Sequence, residues 1–279
     1  MWFDYYNCMT MKKLKREHIN EIINIFKEKP YKTGVAMSGG GIKGMCHAGV
    51  LKALEEAGIK PDIISGVSAG AIVGALYADG KSPDEIKKIF EQIEFRKMTK
   101  LQKPDGGIFS ISPFEKFLRT KLKAQTFEEL QIPLRIVATN LDTGQSVVFN
   151  KGNLMDAIIA SSSLPVLFTP KVIDGTLYVD GGVLMNFPVN TIRDECENVI
   201  GINVSPIVTD DYKKNVIGVA MRTYHFIYKG NIIQDKELCD VLIEPSGMVN
   251  YEIFDTSKSN EIFDLGYNTA KQMNINLKK

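Results

Sequence analysis

Between residues 33 and 78 the chain alternates short apolar runs, glycine-rich turns and helical repeats, and this alternation restricts the fold more than any other feature. Gly34-Val35-Ala36-Met37 reads as a short strand, followed by Gly39-Gly40-Gly41 and by a helical run through Ala48, Val50, Leu51 and Leu54 that Gly58 closes. Ile63-Ile64-Ser65-Gly66-Val67 reads as a second strand and leads into a helix of small residues over 69–78. Strand, helix, strand, helix in that order calls for parallel strands joined by right-handed crossovers, and therefore for an α/β sheet. At 279 residues the chain lies near the ceiling for one hydrophobic core, so one large domain over 31–279 is expected.

Ahead of that domain, Ile19, Ile22, Ile23 and Phe26 recur at helical spacing, which predicts an N-terminal helical appendage over 1–30 that ends by Pro30. Two S-x-x-E capping boxes, Ser82 to Glu85 with Pro83 and Ser112 to Glu115 with Pro113, open further helices. Residues 134–139 and 146–149 read as strands joined at Asp142-Thr143-Gly144. Asp174-Gly175 between Val172-Ile173 and Leu177-Tyr178-Val179 is the strongest hairpin signal in the chain. Strands over 199–204 and 241–243 precede a C-terminal helix over 259–273.

Several function classes drop out on composition. Lys and Arg number 34 against 33 Asp and Glu, a net charge of +1, so the global electrostatic footprint of a nucleic-acid binder is missing. Residues 63–78 form the longest charge-free apolar stretch, but glycines and serines interrupt it and it falls short of a membrane span. Cys8, Cys46, Cys196 and Cys239 are widely spaced, with no C-x-x-C and no zinc-type pattern, and read as reduced thiols. Asp4 precedes any apolar signal core, so a cytoplasmic location is expected, with Met9 and Met11 as alternative starts. No metal or other cofactor is called for.

The chemistry concentrates at the two strand-to-helix turns. Gly66-Val67-Ser68-Ala69-Gly70 is a G-x-S-x-G between strand and helix, the context of a nucleophile elbow that lifts the serine Oγ clear of the sheet. The earlier loop, Ser38-Gly39-Gly40-Gly41-Ile42-Lys43-Gly44, offers unhindered backbone N–H groups of the kind an oxyanion hole requires. Gly39, Gly41 and Gly44 also satisfy G-x-G-x-x-G, yet the ribose-binding acid expected about 20 residues on is replaced by Gly66-Val67-Ser68. A Walker A spacing around Lys43 is absent too. A serine nucleophile needs a base, and the histidines are His18, His47 and His225. His18 lies on the charged N-terminal helix, His47 behind the glycine loop in a supporting position, and His225 in an aromatic-flanked helix where a structural role is the better reading. The chain order Ser68, Asp180, His225 keeps a triad open as the weaker alternative. The stronger base is Asp180, which ends a strand and is followed by Gly181 and Gly182, neither with a side chain to obstruct close approach.

Together, Gly39-Gly40-Gly41-Ile42-Lys43-Gly44, Gly66-Val67-Ser68-Ala69-Gly70 and Asp180-Gly181-Gly182 resemble the three signature blocks of patatin-like phospholipases, which use a Ser-Asp dyad without histidine. The resemblance extends over residues 33–273 and takes in Ala138-Thr139-Asn140-Leu141-Asp142-Thr143-Gly144, Ala160-Ser161-Ser162-Ser163-Leu164-Pro165 and Asn186-Phe187-Pro188. It implies a three-layer α/β/α fold with a largely parallel central sheet. It further implies Ser68 as nucleophile, Asp180 as base and Gly39, Gly40 and Gly41 as oxyanion-hole backbone, with Lys43, Gly66, Gly70, Gly181 and Gly182 in support. Lys43 stands where many members carry arginine. The implied substrates are phospholipid or lysophospholipid esters. Acyl transfer through the same acyl-serine, and a lipid-binding module with a degenerate dyad, are the alternatives. Residues 95–103 interleave Arg96, Lys97, Lys100 and Lys103 with apolar residues, which suits transient contact with an anionic membrane surface, although a solvated basic loop is the plainer reading.

Overall fold

The computed structural model describes residues 28–101, 106–206, 214–273, 275 and 277, without the side chains of residues 95, 96, 217, 221, 225 and 228–231. The helix expected around Ile19 to Phe26, with His18 and Cys8, lies outside the described residues. The strands are β1 (Tyr31–Met37), β2 (Ile63–Val67), β3 (Lys100–Leu101), β4 (Gly107–Ser110), β5 (Leu134–Asn140), β6 (Gln145–Phe149), β7 (Val166–Phe168), β8 (Lys171–Ile173), β9 (Thr176–Asp180), β10 (Cys196–Ile202) and β11 (Val241–Ile243). The α-helices are α1 (Met45–Glu56), α2 (Ala69–Ala78), α3 (Pro83–Glu91), α4 (Phe95–Met98), α5 (Ser112–Arg119), α6 (Leu154–Ser162), α7 (Val216–Glu237) and α8 (Ser259–Gln272).

β11, β10, β1, β2 and β5 pair side by side and all in parallel. Val35, Ala36 and Met37 are fully buried, as a strand covered on both faces requires, and this is why β1 reads as an unbroken apolar run. Side-chain alternation divides the core in two. Val35, Met37, Ile64 and Ile200 pack with α1, α2, α3, α6 and α8 on one face, while Ala36, Ile63 and Val199 pack with Phe187, Val189, Ile192 and Ile232 of α7 on the other. The result is a three-layer α/β/α arrangement. From β1 the chain moves to β2 on one side and later returns to β10 on the other, so a topological switch point lies at the carboxyl end of β1, where α/β sheets bind ligands.

One register positions the site. β2 pairs with the first half of β5, ending at Val67 opposite Val137, and β9 pairs antiparallel with the second half, placing Asp180 opposite Ala138. β6 covers the opposite edge of β5, since Ile136 pairs with both Gly66 and Phe149. β2 and β9 therefore meet end to end along one edge of β5, and the residues at their meeting ends are Ser68 and Asp180.

The hairpin at Asp174-Gly175 forms as expected between β8 and β9, with φ 49° and 79° at the two turn residues, the signature of a type I′ turn. The capping box at Ser82 forms in full. The one expected at Ser112 does not: Ser112 is already helical, and the cap position falls on Ile111 with no side-chain cap. Ser110 Oγ takes the Ser112 N–H at 3.2 Å, and Glu115 turns forward to Arg119 at 2.7 Å instead of back toward the helix start. A small sheet, β3-β4-β7, was not legible in the sequence, because strands of two to four residues are too short to display alternation.

Candidate active site

Ser68 occupies the turn between β2 and α2 at φ 51°, ψ −116°, a backbone state that costs a non-glycine residue of order 1–3 kcal/mol. Gly66 and Gly70 make the turn possible: a Cβ on Gly66 would stand 2.7 Å from Ala71 N, and one on Gly70 would stand 2.7 Å from the Met37 carbonyl carbon. β5 and α6 hold the strained residue in place. Ser68 N–H donates to Ser161 Oγ at 2.8 Å, and the Ser161 hydroxyl donates to the Val137 carbonyl at 2.6 Å. The Ser68 carbonyl accepts the first bond of α2, from Ile72 N–H at 3.1 Å, so the positive end of that helix lies at Ser68. Ala69, the first residue of α2, has an N–H with no acceptor inside its helix.

Asp180 ends β9 and is 2% exposed. Its Oδ1 accepts from Gly182 N–H at 2.8 Å and from the Tyr224 hydroxyl at 3.1 Å, and the Ser68 hydroxyl lies near enough to favour its charged form. Burial pushes the carboxyl up from 3.8 to about 6, against the opposing pull of the Gly182 N–H and of the Ser68 and Tyr224 hydroxyls. Gly181 and Gly182 begin the 3₁₀ turn Gly181–Val183 that aims the Gly182 N–H back at the carboxylate.

The glycine loop follows β1 and tightens into a 3₁₀ turn over Gly41–Gly44 before α1 begins. Gly39 departs from the expectation for an oxyanion donor, because its N–H is already donated to the Asn186 carbonyl at 3.1 Å. Gly40 and Gly41 line the cavity beside Ser68. Lys43 is buried in the 3₁₀ turn, its N–H donating to the Gly40 carbonyl at 3.2 Å. His47 supports the loop from beneath: its Nε2 donates to the Ser38 carbonyl at 2.8 Å, and burial lowers its pKa to about 4, so the ring is neutral. His225 falls within α7, but its side chain lies outside the described residues. From the same helix it is Tyr224 that reaches Asp180, a partner that sequence reasoning missed because a lone tyrosine in an amphipathic helix carries no local signal. Ser161 and Asn186 likewise carry no signal of their own within the segments 160–165 and 186–188.

Ser68 and Asp180 open on a cavity of about 160 Å³. Gly40, Gly41, Asn186, Ser205 and Tyr224 form its polar side, and Ile72, Phe90, Ile93, Ile111, Phe114 and Phe168 line much of the rest. Among the described residues no group of three His, Cys, Asp or Glu side chains comes together, and no helix is long and apolar enough to cross a membrane.

The Patatin family model, described as patatin-like phospholipase, matches residues 35–192, a segment that contains the glycine loop, the serine turn and the Asp180 turn. The chain belongs to the patatin-like phospholipase family. The human patatin-like phospholipase domain-containing protein 6 is 27% identical over 278 residues, an alignment covering 85% of this chain and 20% of that protein. An NTE family protein of Mycobacterium tuberculosis is 36% identical over 164 residues, covering 58% of this chain and 45% of its own length. The chain thus spans about a fifth of the human relative. Among solved structures, VipD from Legionella pneumophila matches with a TM-score of 0.55 at 16% identity, covering 87% of this chain and 66% of that one. That likeness concerns the patatin-like fold alone.

Proposed function

We propose that this patatin-like chain is a serine acyl hydrolase that cleaves carboxylic ester bonds of phospholipids or lysophospholipids through Ser68 and Asp180. The observation that carries this reading is a strained serine beside a buried carboxylate, both opening on a largely apolar cavity. In the first step Ser68 Oγ attacks the ester carbonyl and its proton passes to Asp180. The N–H groups of Gly40, Gly41 and Ala69 face the oxygen that becomes negative. Collapse of the tetrahedral intermediate expels the alcohol, which takes the proton from Asp180 and leaves an acyl-serine. Water then attacks with Asp180 as its base, and the fatty acid departs as Ser68 regains its proton. A carboxylate at its reference pKa of about 3.9 is a weak base for a serine. Burial makes Asp180 more basic, and the carboxylate lies near enough to the Ser68 hydroxyl to take its proton.

The test is product analysis on phospholipid and lysophospholipid vesicles, with fluorophosphonate labelling mapped by mass spectrometry. Free fatty acid and a labelled Ser68 are expected. Ester formed with added alcohol in place of fatty acid turns the assignment to an acyltransferase, and an unlabelled protein that still binds lipid turns it to a binding module. Since the base acts when ionised, kcat/KM on a soluble ester should fall tenfold per pH unit below about 6 and level off above it. A profile flat from pH 5 to 8 removes Asp180 as the titrating base.

The same reading includes transient contact with a membrane surface. Met98 and Thr99 line the cavity, and β3 carries Leu101 at 71% exposure. α7 packs against β7 of the same small sheet and presents Val216 at 79% and Phe226 at 56% exposure, with Val166 of β7 also exposed. These residues supply an apolar rim around β3, whose Lys100 belongs to the basic sequence stretch. Replacing Arg96, Lys97, Lys100 and Lys103 with glutamine should weaken attachment to anionic vesicles by at most about 4 kcal/mol. Lys97 should contribute least, because it already pairs with Glu94 at 2.6 Å. Added salt should erase that difference, whereas the loss from Leu101→Ser with Phe226→Ser should persist in salt. Equal sedimentation of all three proteins at low salt leaves both surfaces as ordinary solvated ones.

A further inference from the structure

The cavity wall holds a buried donor that the steps above leave idle. Asn186 is 3% exposed and lines the cavity with Ser68 and Asp180. Its Nδ2 has no hydrogen-bond partner among the described residues. Two glycines locate the carboxamide. A Cβ built on Gly39 would lie 3.3 Å from Ser68 Cβ and collide with Asn186 Oδ1. One built on Gly182 would lie 2.7 Å from the same Oδ1 and 3.1 Å from Asp180 Oδ1. The side chain is therefore wedged between the nucleophile's neighbour in the glycine loop and the base. Its own backbone carbonyl, meanwhile, occupies the Gly39 N–H.

Buried amide donors are normally paired, because leaving one unpaired is destabilising. A donor kept unpaired beside a nucleophile is suited to an acceptor that exists only during reaction. We propose that Asn186 Nδ2 donates to the acyl oxygen as it becomes an oxyanion, supplying from a side chain the contact that Gly39 cannot make. The inference rests on Ser68 and Asp180 acting as proposed above. A neutral amide suits the place: a cation there would stabilise ionised Asp180 and lower its basicity, whereas a carboxamide donates without adding charge.

Asn186→Ala keeps the backbone carbonyl that holds Gly39 and removes only the carboxamide. On a soluble short-chain ester, kcat should fall by about 10²–10³-fold with KM within a few-fold of wild type, as for loss of a single oxyanion donor. The rate of Ser68 phosphonylation by a fluorophosphonate should fall in parallel, while binding of a non-hydrolysable ether lysolipid and the pH midpoint stay in place. Asn186→Leu, close in size and uncharged but without the donor, should lose at least as much, and it decides the matter if the alanine variant does not fold. An unchanged kcat overturns the proposal. So does a rise in KM alone, which indicates a ground-state contact, or a loss of rate with a displaced pH midpoint, which indicates that Asn186 acts by positioning Asp180. Absence of labelling in wild type would instead remove the Ser68 assignment on which the inference stands.

Discussion

Ser68→Ala should abolish ester hydrolysis and fluorophosphonate labelling while leaving the thermal melt close to wild type. The substitution deletes one oxygen. It leaves the Ser68 N–H to Ser161 bond and the first bond of α2 in place, since both use backbone atoms. The same backbone strain remains, because alanine at φ 51° is no more at ease than serine. Loss of turnover with an unchanged melt therefore isolates the nucleophile. Retained turnover in the purified variant, or labelling that moves to another residue without loss, rejects Ser68.

Asp180→Asn should move activity and stability in opposite directions. Loss of the base should cost at least ~10²-fold in rate. For stability the sign follows from the raised pKa: between 3.8 and about 6 the native state binds a proton that the unfolded chain has released. Ionised Asp180 thus destabilises the fold, a penalty absent below the unfolded pKa and fully developed above the folded one. A shift from 3.8 to about 6 corresponds to about 3 kcal/mol. Asparagine can still accept from Gly182 N–H and the Tyr224 hydroxyl but carries no charge. The variant should melt higher than wild type at pH 7, by up to that amount, with the advantage shrinking as the pH approaches 4. Near-wild-type turnover removes the base assignment, and a lower melt at pH 7 refutes the penalty. His225→Ala is the control, since a triad demands a collapse as deep as that of Asp180→Asn and a dyad only a modest change.

What the sequence disclosed about this site follows from how local each signal is. The elbow at Ser68 and the alternation around it are written in contiguous residues, because strand, turn and helix are set by neighbours in the chain. The hairpin at Asp174-Gly175 was legible for the same reason. Ser112 misled because two serines compete within three residues, and the capping pattern does not record that Ser110 would take the amide first. The use of the Gly39 N–H by Asn186 joins residues 147 positions apart, and Tyr224 lies 44 positions from Asp180. Neither contact leaves a trace in local spacing, and both needed the assembled sheet.

The end-to-end meeting of β2 and β9 on β5 separates two tasks that many enzymes entangle. The proposed reacting pair, Ser68 and Asp180, is aligned by one ladder, Val67 opposite Val137 and Asp180 opposite Ala138, whatever length of chain connects the two strands. Ile72, Phe90, Ile93, Ile111, Phe114 and Phe168, much of the apolar wall of the cavity, belong to that connecting chain, while Ile42, Ile253 and Phe254 join the wall from outside it. Insertions, deletions and repacking between residues 69 and 168 can thus redraw which acyl chains fit, as long as β5 keeps its two partners in register. In this architecture, selectivity can diversify while the reaction stays the same.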